Sequence, residues 1–160
     1  MNVIMKGTDS LSYVFRNYSD TVYRIAVHNT DSAADAEDIT QEVFLSLIKS
    51  AKTFRDSEHL KAWLIRVTLN KCHNYRRDKK HTVRTVEEPV ADDVSDDFSV
   101  LEAVKKLPVN QRNAVYLHYY EGYTAKEIGR LMSVSTNTVL SWLKRSRSAL
   151  KLDLEERGDA

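Results

Sequence analysis

From Leu11 onward, apolar residues recur at spacings of three and four: Leu11, Val14, Phe15, Tyr18, Val22, Ile25 and Ala26. That repeat belongs to a one-sided helix and predicts one over this stretch. A second helix is predicted to open after Ser32, with Asp35 at its third position as an acidic variant of the capping box. Its inward set is Ile39, Val43, Phe44, Leu47 and Ile48. Asp56 and Ser57 offer the cap of a third, longer segment. There Leu60, Trp63, Leu64 and Val67 form the apolar face, and Arg66, Lys71, Arg76 and Arg77 lie mostly off it. Three such helices can close a small core.

Between about His81 and Asp97 the repeat stops. Glu87, Glu88, Pro89, Asp92, Asp93, Asp96 and Asp97 make this stretch too polar and self-repelling to pack. Residues 81–97 are therefore read as a flexible acidic linker between a first domain, 1–80, and a second, 98–160. Phe98, Leu101, Val104 and Leu107 open the second domain, and Pro108 marks a boundary. Val109 to Tyr120 reads as a further helix with Val115, Leu117 and Tyr119 available for burial. The strongest local pattern runs from Thr124 to Leu150. Thr124 and Glu127 form a capping box, Ala125, Ile128 and Met132 face a core, and Ser133 and Val134 make a tight turn. Ser135 then caps a helix that carries Val139, Trp142, Leu143 and Leu150 inward. Two short helices joined by such a turn are a helix-turn-helix, whose second helix enters the DNA major groove by its N-terminal residues. The surface it would present is Thr136, Asn137, Thr138, Leu140, Ser141, Lys144, Arg145 and Arg147. The predicted fold class is all-α, two small helical domains on one chain.

Composition agrees. The chain has 160 residues, only four Gly and two Pro, which favours helix over a turn-rich β-sandwich, and 42% hydrophobic residues, which excludes a wholly disordered chain. Split in two, each half has only a modest core. The one cysteine, Cys72, has no internal disulfide partner and fits a reducing cytoplasm. Met1 to Gly7 holds no signal-peptide stretch, and no window approaches the ~18 consecutive apolar residues of a membrane span. A cytoplasmic protein without membrane insertion is expected.

The net charge of +1 conceals a pattern. Residues 1–49 carry four basic and seven acidic side chains, and residues 50–85 carry ten basic against three acidic. Residues 86–97 have six acids and no base, and residues 98–160 have ten basic against seven acidic. A near-neutral total is no argument against a polyanionic partner, because the attractive field depends on where the charge sits.

The basic stretch mixes Arg55, Lys61, Arg66, Lys71, Arg76 and Arg77 with Phe54, Trp63, Asn70, Asn74 and Tyr75. Single-stranded nucleic acid calls for that mixture: cations follow phosphates, aromatic faces stack on unpaired bases, and amides bond exposed base edges. Taken singly, Phe54 and Trp63 also suit a core. Asp35, Glu37, Asp38, Gln41 and Glu42 either complement the positive N-terminus of their helix or dock a basic partner surface. Lys144, Arg145 and Arg147 read as phosphate contacts or as a solvated helix end. The five histidines and Cys72 have no metal-site spacing. With no glycine-rich phosphate loop, no Gly-x-Ser-x-Gly and no deaminase signature, the sequence offers no catalytic residue, cofactor or small-molecule substrate. The competing reading is a stand-alone helix-turn-helix regulator. It would need a ligand pocket or a self-complementary apolar face in residues 1–80, and neither is legible.

The run Tyr18 to Ala26, followed by Asp35, Ala36, Glu37, Asp38, Ile39, Thr40, Gln41, Glu42, Val43 and Phe44, resembles region 2 of the extracytoplasmic function (ECF) sigma factors. Ala62, Trp63, Leu64, Ile65, Arg66 and Asn70 continue the resemblance. Leu107 and Pro108, then Tyr119 to Tyr123 and the helix-turn-helix through Arg145, resemble region 4 of the same family. The resemblance implies a dissociable subunit that directs core RNA polymerase to promoter DNA. It implies that Asp38, Gln41, Glu42 and Phe44 dock on the clamp helices of the largest polymerase subunit. It also implies that Phe54 and Asn70 cradle a flipped base of the melted −10 strand, with Trp63 near the point of strand separation. The helix from Thr136 would read the −35 element as duplex, its domain resting on the flap of the second large subunit. The linker would run through the polymerase, and an anti-sigma factor is an implied partner. The chain departs from the pattern at Leu140, where many relatives carry Arg or Lys, at Trp142, and at Val67, Thr68 and Leu69, which leave Asn70 in place.

Overall fold

Short polar joints decide where the helices of this chain begin. The computed structural model describes residues 3–4, 7–50, 52–79 and 103–156, with side chains for 11–50, 52–79 and 103–151. The expected linker, 81–97, lies outside the described residues. The chain divides into two units, Met1–Val90 and Ala91–Ala160, and each is described by itself.

In the first unit α1 (Gly7–Asn29) and α2 (Ala33–Ser50) are joined by three residues, and α3 (Ser57–Lys79) follows. Ser32 caps α2 as the sequence predicts: its hydroxyl accepts from the Asp35 N–H at 3.1 Å. Asp56 caps α3, its carboxylate accepting from the His59 N–H at 2.8 Å. All three helices pack on one another. The core takes Val14, Val22, Ile25 and Ala26 from α1, Ala36, Ile39, Val43, Phe44 and Leu47 from α2, and Leu60, Leu64, Ile65 and Cys72 from α3. Each large aliphatic side chain buried in this way contributes about 1.5–3 kcal/mol. One feature escaped the periodicity. Val3–Ile4 (β1) pairs antiparallel with Thr53–Phe54 (β2), Val3 opposite Phe54 and Ile4 opposite Thr53. At two residues a strand, the pair leaves the architecture all-α.

Two residues expected inside are outside. Phe15 is 50% exposed and Ile48 55% exposed. The apolar stripes of α1 and α2 are wider than the contact between the helices. The excess lines a groove with Leu11, Phe15, Phe44, Leu45 and Ile48 on its walls. Phe15 stands edge-on to Phe44 there, ring centroids 5.0 Å apart.

In the second unit residues 103–105 are helical, Pro108 precedes α4 (Val109–Val115), and the chain continues as a π-helical segment, Tyr116–Tyr120. Then come α5 (Ala125–Met132) and α6 (Thr136–Glu156). The single helix expected over 109–120 thus widens halfway. The Glu121 N–H reaches back five residues to the Tyr116 carbonyl, at 3.1 Å. The wider turn shifts which side chains face inward: Val115, Tyr116 and Leu117 are buried, and Tyr119, expected inside, is 57% exposed. α6 packs on both α4 and α5. Leu117, Ile128, Leu131, Val139 and Leu143 are buried with Ser146, whose hydroxyl donates to the Trp142 carbonyl at 2.7 Å. Met132 and Trp142, expected to face the core, are half-buried.

Candidate nucleic-acid interface

In the second unit the surface is built by the turn between α5 and α6. At the start of α5, Thr124 and Glu127 close a reciprocal capping box: the Glu127 N–H donates to Thr124 Oγ1 at 3.2 Å and the Thr124 N–H to Glu127 Oε1 at 3.1 Å. The backbone hydrogen bond from Thr124 holds the Glu127 carboxyl below its usual range. Ser133 then takes a left-handed conformation (φ 59°), and the Val134 N–H donates to the Gly129 carbonyl at 2.9 Å. Gly129 has no substitute at this crossing, since a Cβ there would stand 2.8 Å from the Val134 carbonyl oxygen. Ser135 opens α6 by accepting from the Thr138 N–H at 3.1 Å, and its hydroxyl meets Thr138 Oγ1 at 2.8 Å.

This turn leaves Thr136, Asn137, Leu140, Lys144, Arg145 and Arg147 exposed on α6, with Ser141 half-buried. Asn137, Leu140, Ser141 and Lys144 stand at i, i+3, i+4 and i+7 and share a face. Thr138 differs from the expectation, because its hydroxyl is engaged in the cap. Arg147 donates to the Tyr119 hydroxyl at 3.1 Å, which draws its guanidinium toward the π-helical segment.

In the first unit α3 carries the surface. Trp63, Arg66, Asn70, Asn74 and Arg77 are spaced three and four apart and form one stripe. Arg66, Asn70, Asn74 and Arg77 are exposed, and Trp63 is half-buried at the N-terminal end. Arg55 is exposed just before the helix, and Lys61 is half-buried within it. Lys52 Nζ stands 5.9 Å from the Trp63 ring centroid, within cation–π reach.

Three residues expected at a contact surface are more buried than an exposed helix face would leave them. Phe54 is 1% exposed, its ring edge-on to Trp63 and His59 with centroids 5.7 and 5.4 Å away. It supports Trp63 from behind and has no face for a base, because strand pairing turns its side chain into the core. Arg76 is half-buried and donates to Asn29 Oδ1, and burial lowers its pKa. It joins α3 to the end of α1. Phe44 is 5% exposed, so only Asp38, Gln41 and Glu42 of the expected partner face reach the surface of α2.

A polar seam between α2 and α3 was not foreseen. Tyr75 donates to Asp35 Oδ2 at 2.7 Å, and Lys79 Nζ lies 3.7 Å from the same carboxylate and 3.9 Å from Asp31. Lys71 Nζ lies 3.9 Å from Glu42 Oε2. Burial, then the hydrogen bond to Asp35, push the Tyr75 phenol up to about 12. The readable signal was Asp35 and Glu42 two turns apart on one helix, against Lys71, Tyr75 and Lys79 at successive turns of the next. Leu45, 50% exposed beside the groove, was also missed. Burial pushes the Cys72 thiol up to about 12, so it is an unreactive core group. Among the described residues no group of three His, Cys, Asp or Glu side chains could hold a metal ion, and no helix is long and apolar enough to cross a membrane.

Comparison with known proteins matches each unit separately. A family model described as Sigma-70 region 2 matches residues 14–82, and one described as Sigma-70, region 4 matches residues 97–150. The ECF RNA polymerase sigma factor SigM of Mycobacterium tuberculosis strain H37Rv is 33% identical over 143 residues, covering 86% of this chain and 73% of that protein. The ECF sigma factor SigW of Bacillus subtilis is 24% identical over 175 residues, covering 96% and 94%. Among solved structures, the sigma factor RpoE of Bartonella quintana, in complex with the anti-sigma factor NepR, superposes with a TM-score of 0.75 at 20% identity over 92% of this chain and 98% of that one. CnrH, in complex with the cytosolic domain of CnrY, gives 0.68 at 17% identity over 96% and 93%. At these identities the two structures establish the shared fold.

Proposed function

Because this chain belongs to the sigma-70 family, as an ECF sigma factor that directs core RNA polymerase to promoters and assists their melting, we propose that its two exposed helix faces divide the promoter between them. The observation that carries this reading is the occurrence of both region matches in one chain, in order, each on a unit with its own polar helix face. A stand-alone regulator has no use for the first of them.

In this reading residues 1–80 serve the polymerase clamp and the −10 element. Asp38, Gln41 and Glu42 on α2 meet a basic polymerase surface, while Trp63, Arg66, Asn70, Asn74 and Arg77 on α3 meet the melted strand. Asn70 has both a donor and an acceptor for the edge of an unpaired base. Trp63 lies one turn before Arg66 and two before Asn70, with Phe54 fixing its ring. Extruding a base costs a few kcal/mol of stacking and pairing, which a preformed surface offsets. Residues 98–160 serve the −35 duplex, Asn137, Leu140, Ser141 and Lys144 reading the groove and Arg145 the phosphates. The acidic stretch 81–97 cannot lie along DNA and is assigned a path within the polymerase.

Neither helix face alone offers enough surface for tight specific binding, so tethering both on polymerase supplies the affinity through effective concentration. The chain contributes binding and orientation, and nucleotide joining stays with the polymerase. It acts in the cytoplasm, where both partners are, and an anti-sigma factor is a further partner by analogy with the RpoE and CnrH complexes. Reconstituted transcription tests the proposal. With core polymerase and a cognate promoter, transcripts should depend on added protein. Transcript levels indifferent to it would refute the reading.

A further inference from the structure

The stretch 52–56 lies outside both α2 and α3, yet side chains from it flank the Trp63 ring. Phe54 is 1% exposed and meets that ring edge-on with centroids 5.7 Å apart, and Lys52 Nζ lies over it, 5.9 Å from the centroid. A ring held from two sides keeps its orientation only if the residues beside it are themselves fixed. The ends of the stretch are tied locally. The Lys52 N–H donates to Ser50 Oγ at 3.4 Å, the Arg55 N–H donates to His59 Nδ1 at 3.2 Å, and Asp56 caps α3. The middle is tied from a distance: Thr53 and Phe54 pair through the backbone with Ile4 and Val3, which precede α1. Successive side chains of a strand point to opposite faces, so this register sets which way Phe54 points. A slip of one residue would turn its ring away from the core.

We propose that β1 is a positioning element for the nucleic-acid face of α3. Its main chain fixes Thr53–Phe54, which seats Phe54 beneath Trp63 and Lys52 over it and so holds the ring ready for the melted strand. The inference rests on the reading above in one respect, the place of Trp63 at that strand. A strand pair this short does not stand alone, so the pairing and the burial of Phe54 support each other and are lost together. The helices start independently of it, since Ser32 and Asp56 cap α2 and α3 locally. Losing β1 therefore loosens the surroundings of Trp63 while α2, with its polymerase face, stays in place.

The test uses the full-length protein carrying Trp142→Phe, which leaves Trp63 as its single tryptophan. Val3→Pro with Ile4→Pro removes both N–H groups from β1. Trp63 emission should then shift to the red and its quenching by acrylamide should rise. Val3→Ile with Ile4→Val keeps both N–H groups and the β-branching, and should match the unsubstituted chain. Phe54→Leu leaves β1 and an apolar core residue but removes the ring edge, and should reproduce the shift. On a cognate promoter with core polymerase, the proline protein should form open complexes about tenfold less well at unchanged docking, the scale of loss that a misplaced contact group brings. Unchanged emission and quenching in the proline protein would overturn the proposal. An equal loss of docking, or a loss of helix content by circular dichroism, would overturn it too, because β1 would then serve the whole unit. Trp63→Ala separates the proposal from the reading beneath it. Normal opening by the proline protein beside defective opening by Trp63→Ala would overturn the proposal. Normal opening by Trp63→Ala would instead overturn the place of Trp63 at the melted strand, and the emission of the proline protein would still decide whether β1 positions the ring.

Discussion

At the scale of single residues, Asn70 and Tyr75 on α3 belong to opposite sides of one helix and answer to different assays. Asn70 is exposed on the stripe with Trp63 and Arg66, and no core contact depends on it. Asn70→Ala should therefore leave polymerase docking unchanged and lower open-complex formation by about tenfold, the equivalent of one or two lost hydrogen bonds. Permanganate reactivity of promoter thymines, read beside a docking assay, checks this, and a parallel loss of docking would contradict it. Tyr75 faces the seam. Its phenol is raised from the ordinary 10 to about 12 in the folded chain, so the protonated form is favoured by folding. The stability it confers is fully present below about pH 10 and is lost as the pH rises toward 12. Denaturant titrations should show the wild-type advantage over Tyr75→Phe shrinking across that window, and a constant difference would contradict the assignment. Because Tyr75 is only half-buried, the advantage is modest even at neutral pH.

At the scale of elements, the joints carry the most specific demands. Gly129 lies where α5 crosses the start of α6, and a Cβ would meet the Val134 carbonyl at 2.8 Å. Backbone cannot swing aside as a flexible side chain would. Gly129→Ala should destabilise the helix-turn-helix by about 1–3 kcal/mol, detectable as a lower thermal midpoint in the second unit. No change would mean that the turn is looser than described. Thr124→Ala should cost about 1 kcal/mol through the lost cap. The helix starts at Ser32, Asp56, Thr124 and Ser135 were legible because a cap is a local event, written within four residues. What stayed hidden depends on distant partners or a change of pitch. Phe54 is buried because a strand some fifty residues earlier pairs with its own. Ile48 and Phe15 are exposed because two stripes meet over only part of their width, and Tyr119 is exposed because the helix widens at Tyr116. The exposure of Asn70 and Asn137, each on a regular helix, was recoverable from spacing. Arg76 looked like them until Asn29, forty-seven residues away, supplied its partner.

At the scale of the whole molecule, charge and organisation act together. The net charge is +1, yet residues 50–85 are strongly basic and residues 86–97 wholly acidic among their charged groups. Free protein should bind duplex DNA weakly at physiological salt, since few cations are presented together and Lys71 is paired. Tight sequence-specific retention of duplex by the isolated chain in a gel-shift would contradict this. The most direct test is a combined footprint on one cognate promoter, with core polymerase and this protein added singly and together. The account predicts that protection of the −35 duplex and permanganate-reactive thymines in the −10 element arise only when both are present. Protection of a palindromic duplex by the protein alone, with every thymine unreactive, would contradict it.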